Sequence, residues 1–334
     1  MTFHFLAILA GIAILVIATR LVSRALVAIA GALGVSRFII AFFLVAFSTT
    51  IPELAVGVSA ALQGIPSLAL GNAFGSNVVN LTLIAGFVSF FSRKKIDLSA
   101  EITKRQGMWM FFVASLPFFL ILDGTLSRFD GAVLLAGFSV YCARLAREKK
   151  IVLSEAEAGM PRTASERRWL MSLAKGILRR DRTLFGAIGM FVLGVALLVG
   201  GSHLTVEAAK AVVTALGVSP FLIGILLVAV GTSLPEFAFG IRAVANKEPE
   251  LSLGNVLGSV AINSSWILGI VSLISPITPA VLTSAVISGG FMIAVFAIFF
   301  YLMHRGGALN PKEGAILMIL YGVFVAVQLA LGIP

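Results

Sequence analysis

The stretch GVSRFIIAFFLVAFSTTIPELAVG at residues 34–57 returns 183 residues later, without a gap, as GVSPFLIGILLVAVGTSLPEFAFG at 217–240. At the same offset, PSLALGNAFGSNVVN at 66–80 returns as PELSLGNVLGSVAIN at 249–263, and close to half of the positions are identical. Apolar composition alone does not produce that match, because it includes Pro52/Pro235, Glu53/Glu236, Gly71/Gly254, Asn72/Asn255, Gly75/Gly258, Ser76/Ser259 and Asn80/Asn263. The chain is an internal duplication, and the fold follows from what surrounds the two copies.

Ten mostly apolar runs cover roughly 4–31, 37–62, 67–91, 107–122, 129–146, 184–214, 219–245, 251–275, 280–303 and 313–332. A membrane-spanning helix needs about 20 such residues. With 59% hydrophobic and 12% charged residues and a mean hydropathy of +1.06, the chain reads as an all-α polytopic membrane protein. Strand-like alternation is absent, which excludes a membrane β-barrel. The first run is too long for a signal segment and lacks a small-residue cleavage site, so it counts as a helix. Each copy holds five helices. Five is odd, so the second copy enters the membrane from the opposite side, giving two inverted five-helix repeats with the site expected at their interface near the midplane. The expected organisation is an N-terminal repeat over 1–147 with its motif at 34–89, a polar linker over 148–182, and a C-terminal repeat over 183–334 with its motif at 217–272.

The net charge of +10 raises the question of nucleic acid. Lys and Arg instead fall in alternate loops: Arg93, Lys94, Lys95, Lys104 and Arg105; Arg144 to Arg182; Lys247; Arg305 and Lys312. Arg128, between Asp123 and Asp130, is the exception. This is the positive-inside pattern of membrane proteins, not a nucleic-acid surface. It predicts cytoplasmic placement of 148–182, with both termini outside. A single cysteine, Cys142, forms no intrachain disulfide and reads as a small buried hydrophobe.

Inside this apolar frame, polar chemistry concentrates in the repeats. Pro52 frees the carbonyl of Ser48, and Pro235 that of Gly231. Neighbouring carbonyls, those of Ala46, Thr49, Ala229 and Thr232 among them, then turn from the helix axis, which membrane depth tolerates only against protein, a cavity or an ion. Thr49 and Thr50 lie one helical turn from Glu53, as Thr232 and Ser233 do from Glu236. Ser76 and Asn80 share a helix face, as do Ser259 and Asn263. Two carboxylates at equivalent depths are costly, about 2.5–3.5 kcal/mol each on insertion scales, which points to function. The hydroxyls admit a second reading as interhelical hydrogen-bond glue at about 0.6 kcal/mol each. As a set, carboxylates, amides, hydroxyls and carbonyls are hard oxygen donors, suited to Ca²⁺ and Na⁺ and not to Zn²⁺ or copper. Asn72 and Asn255 read as caps at a helix break. Arg20, Arg24, His203 and Glu207 read as snorkelling or paired side chains on the long helices.

The motifs STTIPE (48–53), GNAFGSNVVN (71–80), GTSLPE (231–236) and GNVLGSVAIN (254–263) resemble the α-1 and α-2 repeats of the cation/calcium antiporter superfamily, and within it the prokaryotic sodium/calcium exchangers. The resemblance implies that Glu53 and Glu236 bind Ca²⁺ centrally and share in flanking Na⁺ sites. Thr49, Thr50, Thr232, Ser233, Ser76, Ser259, Asn80 and Asn263 then act as ligands, with the carbonyls of Ala46 and Ala229. It implies alternating access, with the first and sixth runs sliding as gates against the other eight. Three positions depart from the pattern: Ser48 stands for Gly, Val260 for the Asn of G-S-N, and Asn263 where some members have Asp. The expected function is Na⁺/Ca²⁺ antiport in a prokaryotic inner membrane by a monomer in the lipid bilayer, with Ca²⁺ and Na⁺ as cargo and no cofactor. A proton-coupled exchanger of Ca²⁺ or another divalent cation is the alternative, and a cation channel the next. No Ser–His or Asp–Asp arrangement suggests an enzyme.

Overall fold

Six of the described helices begin with proline in their first turn, at Pro52, Pro66, Pro220, Pro235, Pro249 and Pro311. There the missing N–H costs nothing and the fixed φ already suits the helix. The computed structural model describes residues 2–32, 47, 49–92, 95–97, 100–157, 184–280, 282–306 and 308–332. In the first half, α1 is Thr2–Ala32 and α2 Ile51–Leu62. Helix α3, Pro66–Val78, passes through a π-helical turn, Val79–Ile84, into α4, Ala85–Phe91. Then come α5, Ala100–Leu120, and α6, Arg128–Glu157.

The second half opens with α7, Leu184–Leu216. Helix α8, Pro220–Ile223, runs through a π turn, Gly224–Val228, into α9, Ala229–Thr232, and α10 is Leu234–Ala245. Helix α11, Pro249–Ala261, passes through the π turn Ile262–Ile267 into α12, Leu268–Ile274, followed by α13, Leu282–Gly306, and α14, Pro311–Gly332.

Seven of the described spans are long and apolar enough to cross a membrane, and Ile51–Leu62 and Gly107–Asp123 are shorter apolar helices. The first part of the second predicted run, with Ala46 and Ser48, lies outside the described residues, as does most of 148–182. Helix α6 continues past Glu148 to Glu157, into the segment predicted as linker.

The duplicated segments form the core. Pro66–Phe91 is 78% buried, whereas Pro311–Leu331 is 22% buried and Phe185–Leu216 28%. The outer helices present Phe3, Met108, Phe129, Phe185 and Ile319 outward, an apolar surface that lipid, not water, accommodates.

The pseudo-symmetry is visible contact by contact. Gly11 packs on Thr205, and the offset of 183 turns that pair into Gly194 and Val22, which also pack together. As α1 ascends in number α7 descends, so the long helices cross antiparallel, as an inverted repeat requires. Their 31 and 33 residues exceed a bilayer's need, which calls for tilt. The turns after α2 and α10 match too: Gly64 (φ 75°) and Lys247 (φ 61°) occupy equivalent left-handed positions.

Two small backbone pairings were not expected from the sequence. Strand β1, Ile96–Asp97, pairs antiparallel with β2, Ala308–Leu309. A single bridge joins Leu126 to Ile277. The offset relates Leu309 to Leu126, so these are two versions of one clasp in equivalent loops.

Candidate functional site

Each Pro-Glu motif interrupts its helix for one residue. Thr50 (φ −92°, ψ 3°) and Ser233 (φ −81°, ψ 3°) are the break points, and the chain resumes as α2 and α10. The break has two electrostatic consequences. In the second half the break closes the helix Ala229–Thr232, whose carbonyl end is partly negative, and in both halves the N–H end of the next helix, partly positive, begins beside the carboxylate. Glu53 and Glu236 sit in those first turns, each 1% exposed.

Across the repeat interface the halves bind each other reciprocally. Thr232 Oγ1 donates to Asn72 Oδ1 (3.0 Å), and its counterpart Thr49 Oγ1 donates to Asn255 Oδ1 (3.3 Å). Thr232 Oγ1 lies 3.5 Å from Ser76 Oγ, and Thr49 Oγ1 lies 3.5 Å from Ser259 Oγ. Ser76 also donates to the Ala229 carbonyl (3.4 Å), as does Thr232 (3.4 Å), and Ser259 donates to Glu236 Oε1 (3.5 Å). Thr50 and Ser233 are buried at the breaks, Thr50 donating to the Phe47 carbonyl (3.2 Å).

The structure therefore brings Glu53, Glu236, Thr49, Thr50, Thr232, Ser233, Ser76, Ser259 and the Ala229 carbonyl to the two helix breaks. Asn80 and Asn263 stand fully buried in the adjoining π turns. Predicted Ala46 lies outside the described residues. Thr49 and Thr232 each serve the other half's serine and asparagine, a pairing that intrahelical spacing does not reveal.

What remains unpaired defines the chemistry. Both oxygens of Glu53, Oε2 of Glu236, the Ser233 hydroxyl and both amide atoms of Asn80 and of Asn263 have no hydrogen-bond partner among the described residues. An orphaned buried amide or hydroxyl costs about 1–3 kcal/mol, and a buried unpaired charge several kcal/mol. Oxygens held dry and unpaired are what a dehydrated hard cation compensates.

The expected capping role of Asn72 and Asn255 is corrected. Both lie inside α3 and α11, where the N-caps are Ile65 and Glu248, and both act as acceptors for threonines of the opposite half. Sequence reasoning also missed Thr82 and Ser265, which donate to the carbonyls of Val78 and Ala261 at 2.5 Å each. A π turn withdraws amide donors from the helical ladder, and a hydroxyl four residues on fills the gap. Matching hydroxyls at offset 183 were the available signal. Arg20 and Arg24 are exposed on α1, His203 Nδ1 lies 3.2 Å from Gln63 Nε2, and Glu207 pairs with Lys210 (3.1 Å). These are contacts of the long helices, separate from the central cluster.

The comparisons bear on the fold and the family. A solved sodium-calcium exchanger, NCX_Mj, superposes with a TM-score of 0.60 over 98% of this chain and 99% of that one, at 23% identity. A solved H⁺/Ca²⁺ exchanger, CAX, gives a TM-score of 0.68 over 98% of this chain and 87% of that one, at 17% identity. At these identities the likeness is one of fold. The sodium/calcium exchanger MaX1 of Methanosarcina acetivorans is 30% identical over 98% of both chains. The model of the family described as sodium/calcium exchanger protein matches residues 3–146 and 186–330, and the chain is a multi-pass membrane transporter belonging to that family.

Proposed function

We propose that this chain exchanges Na⁺ for Ca²⁺ by alternating access, both ions using in turn the cluster between Glu53 and Glu236. The observation that carries the proposal is the pair of buried carboxylates in the first turns after the two helix breaks, with Glu53 Oε1 and Oε2 and Glu236 Oε2 unpartnered among the described residues and Thr49, Thr232, Ser76 and Ser259 bonded across the repeat interface; we take buried Thr50, Ser233, Asn80 and Asn263 as further ligands. Two carboxylates neutralise one Ca²⁺. Because the same oxygens serve Na⁺, the occupancies exclude each other, and that exclusion is the coupling. Replacement of one Ca²⁺ by three Na⁺ moves one net charge per cycle, so turnover responds to membrane potential. The long α1 and α7 slide as one unit against the remaining helices, opening the cluster to either side.

The site is completed within one chain, which supports a monomeric working unit, and the outward apolar belt supports a lipid surround. The distribution of Lys and Arg supports an inner-membrane orientation with both termini outside and 148–182 cytoplasmic. Nothing in the cluster requires a cofactor, and its chemistry is ligation, so we take the chain as a transporter and not an enzyme. Proton coupling is the second reading, favoured by the fold match to the H⁺/Ca²⁺ exchanger, since carboxylates also carry protons. The test is ⁴⁵Ca²⁺ uptake into proteoliposomes, comparing an outward Na⁺ gradient with a pH gradient. Uptake on the Na⁺ gradient alone supports the proposal. Uptake on the pH gradient alone replaces it with the proton-coupled reading.

A further inference from the structure

One polar contact near the cluster has no symmetric counterpart. Asn77 Nδ2 donates to Ser264 Oγ (2.7 Å) and approaches Met292 Sδ (3.3 Å). Asn77 and Ser264 are both 0% exposed. The offset of 183 converts this pair into Val260 and Leu81, which are buried and apolar, at 1% and 0% exposed. The threonine bonds at the helix breaks come in reciprocal sets, Thr49–Asn255 with Thr232–Asn72 and Thr49–Ser259 with Thr232–Ser76. Asn77 thus builds a rung on one side of the pseudo-two-fold axis only.

Its position in the chain gives the rung a consequence. Asn77 follows Ser76 and stands one turn before Asn80. Ser264 follows Asn263 directly, inside the π turn Ile262–Ile267. A thioether sulfur accepts but does not donate, so the amide nitrogen faces the Ser264–Met292 pair. That fixes the amide's orientation and leaves Asn77 Oδ1, buried, without a partner among the described residues. Burying a full amide to hold one hydroxyl is poor packing, when the other half solves the same contact with Val and Leu. It makes sense as a device that fixes the neighbour of Ser264.

We infer that Asn77 is a positioning residue: through Ser264 it anchors the π turn that presents Asn263 to the cation, while the equivalent turn carrying Asn80 has buried, apolar Leu81 in place of Ser264 and lacks that interhelical bond. The two half-sites are then unequal, one held rigid by a hydrogen bond and one able to yield. The inference rests on the cation site proposed above.

The test is a double-mutant cycle of Asn77→Val, Ser264→Ala and the combination, reconstituted and assayed for ⁴⁵Ca²⁺ uptake. Each single variant is expected to raise the apparent KM for Ca²⁺ about tenfold with Vmax within about twofold. The combination is expected to match either single variant, because the same rung is lost once. A KM unchanged in both single variants, with loss confined to yield or thermal midpoint, overturns the inference and leaves Asn77 structural. So does an additive effect of about a hundredfold in the combination. Ser264→Ala removes the same bond with a smaller change, so poor folding of Asn77→Val does not end the test. If the wild type takes up no Ca²⁺ under either gradient, it is the functional reading that fails. The cycle is then read as the concentration of Ca²⁺, Sr²⁺, Mn²⁺ or Na⁺ that half-saturates thermal stabilisation, where the same non-additive tenfold shift is expected and its absence overturns the positioning role.

Discussion

Replacing Glu236 with Gln removes one of two charges from a site whose carboxylates are each 1% exposed and keeps its shape. At a Ca–O distance of about 2.4 Å and an effective dielectric near 20, one carboxylate attracts Ca²⁺ by roughly 7 kcal/mol per unit of ion charge. Against that stands the several kcal/mol needed to hold the carboxylate charged and dry before the ion arrives, and the residual attraction of the amide oxygen. A net loss of about 3–4 kcal/mol remains, or roughly 10²–10³ in Kd. Thermal unfolding of the purified protein in detergent, titrated with Ca²⁺, reads it. At a hundred times its Kd, Ca²⁺ stabilises the wild type by about 2.7 kcal/mol, whereas a 300-fold weaker variant gains only about 0.2 kcal/mol at the same concentration. The ion-free variant should be no less stable than the ion-free wild type, because it buries one uncompensated carboxylate fewer. Glu53→Gln should behave alike, both Glu53 oxygens being unpaired among the described residues. Variants that bind Ca²⁺ within about threefold of the wild type would refute the charge argument.

Thr232→Val strands Asn72 Oδ1 and Thr49→Val strands Asn255 Oδ1, each costing about 1–3 kcal/mol. Both should lower Ca²⁺ affinity about tenfold in the same binding titration, and a silent member of the pair would contradict the reciprocal geometry. A methyl at Gly71 would run into the Phe221 carbonyl and one at Gly224 into that of Leu68, while Gly200 has nothing within 4 Å. Alanine at Gly71 or Gly224 should therefore cost about 1–3 kcal/mol or prevent folding, with Gly200→Ala near neutral, as measured by thermal midpoint. In a Cys142→Ala background, cross-linking Gly11→Cys to Thr205→Cys ties α1 to α7 and should leave exchange intact if they slide together. A short bis-thiol linker between Gln63→Cys and His203→Cys should stop exchange until reduced, and the opposite pattern would exclude that motion.

Much of this architecture was legible because membrane depth makes polar residues expensive. Glu53, Glu236 and the hydroxyls stand out against an apolar background, and the offset of 183 pairs them across the two repeats. The reciprocal bonds of Asn72 and Asn255 were not legible, because mid-helix asparagine has the same letter as a cap and only the approach of α9 to α3 supplies its partner. The π turns escaped for a related reason. A turn of five or six residues is too short to show a hydrophobic period of its own, and Thr82 and Ser265 mark only two of the three. The β1–β2 clasp involves two residues per strand, shorter than any readable alternation. Ser48 and Ala46 fall outside the described residues, so the effect of a serine at the first break rests on the sequence.

The account's central claim is that Ca²⁺ and Na⁺ take turns at the Glu53–Glu236 cluster. It is tested most directly by equilibrium binding of ⁴⁵Ca²⁺ to the purified protein at increasing Na⁺. The account predicts that Na⁺ raises the apparent Kd for Ca²⁺ without lowering the number of sites, more steeply than one Na⁺ per Ca²⁺, and that Glu53→Gln and Glu236→Gln abolish high-affinity binding. Ca²⁺ binding that ignores Na⁺, or that survives in both variants, would contradict it.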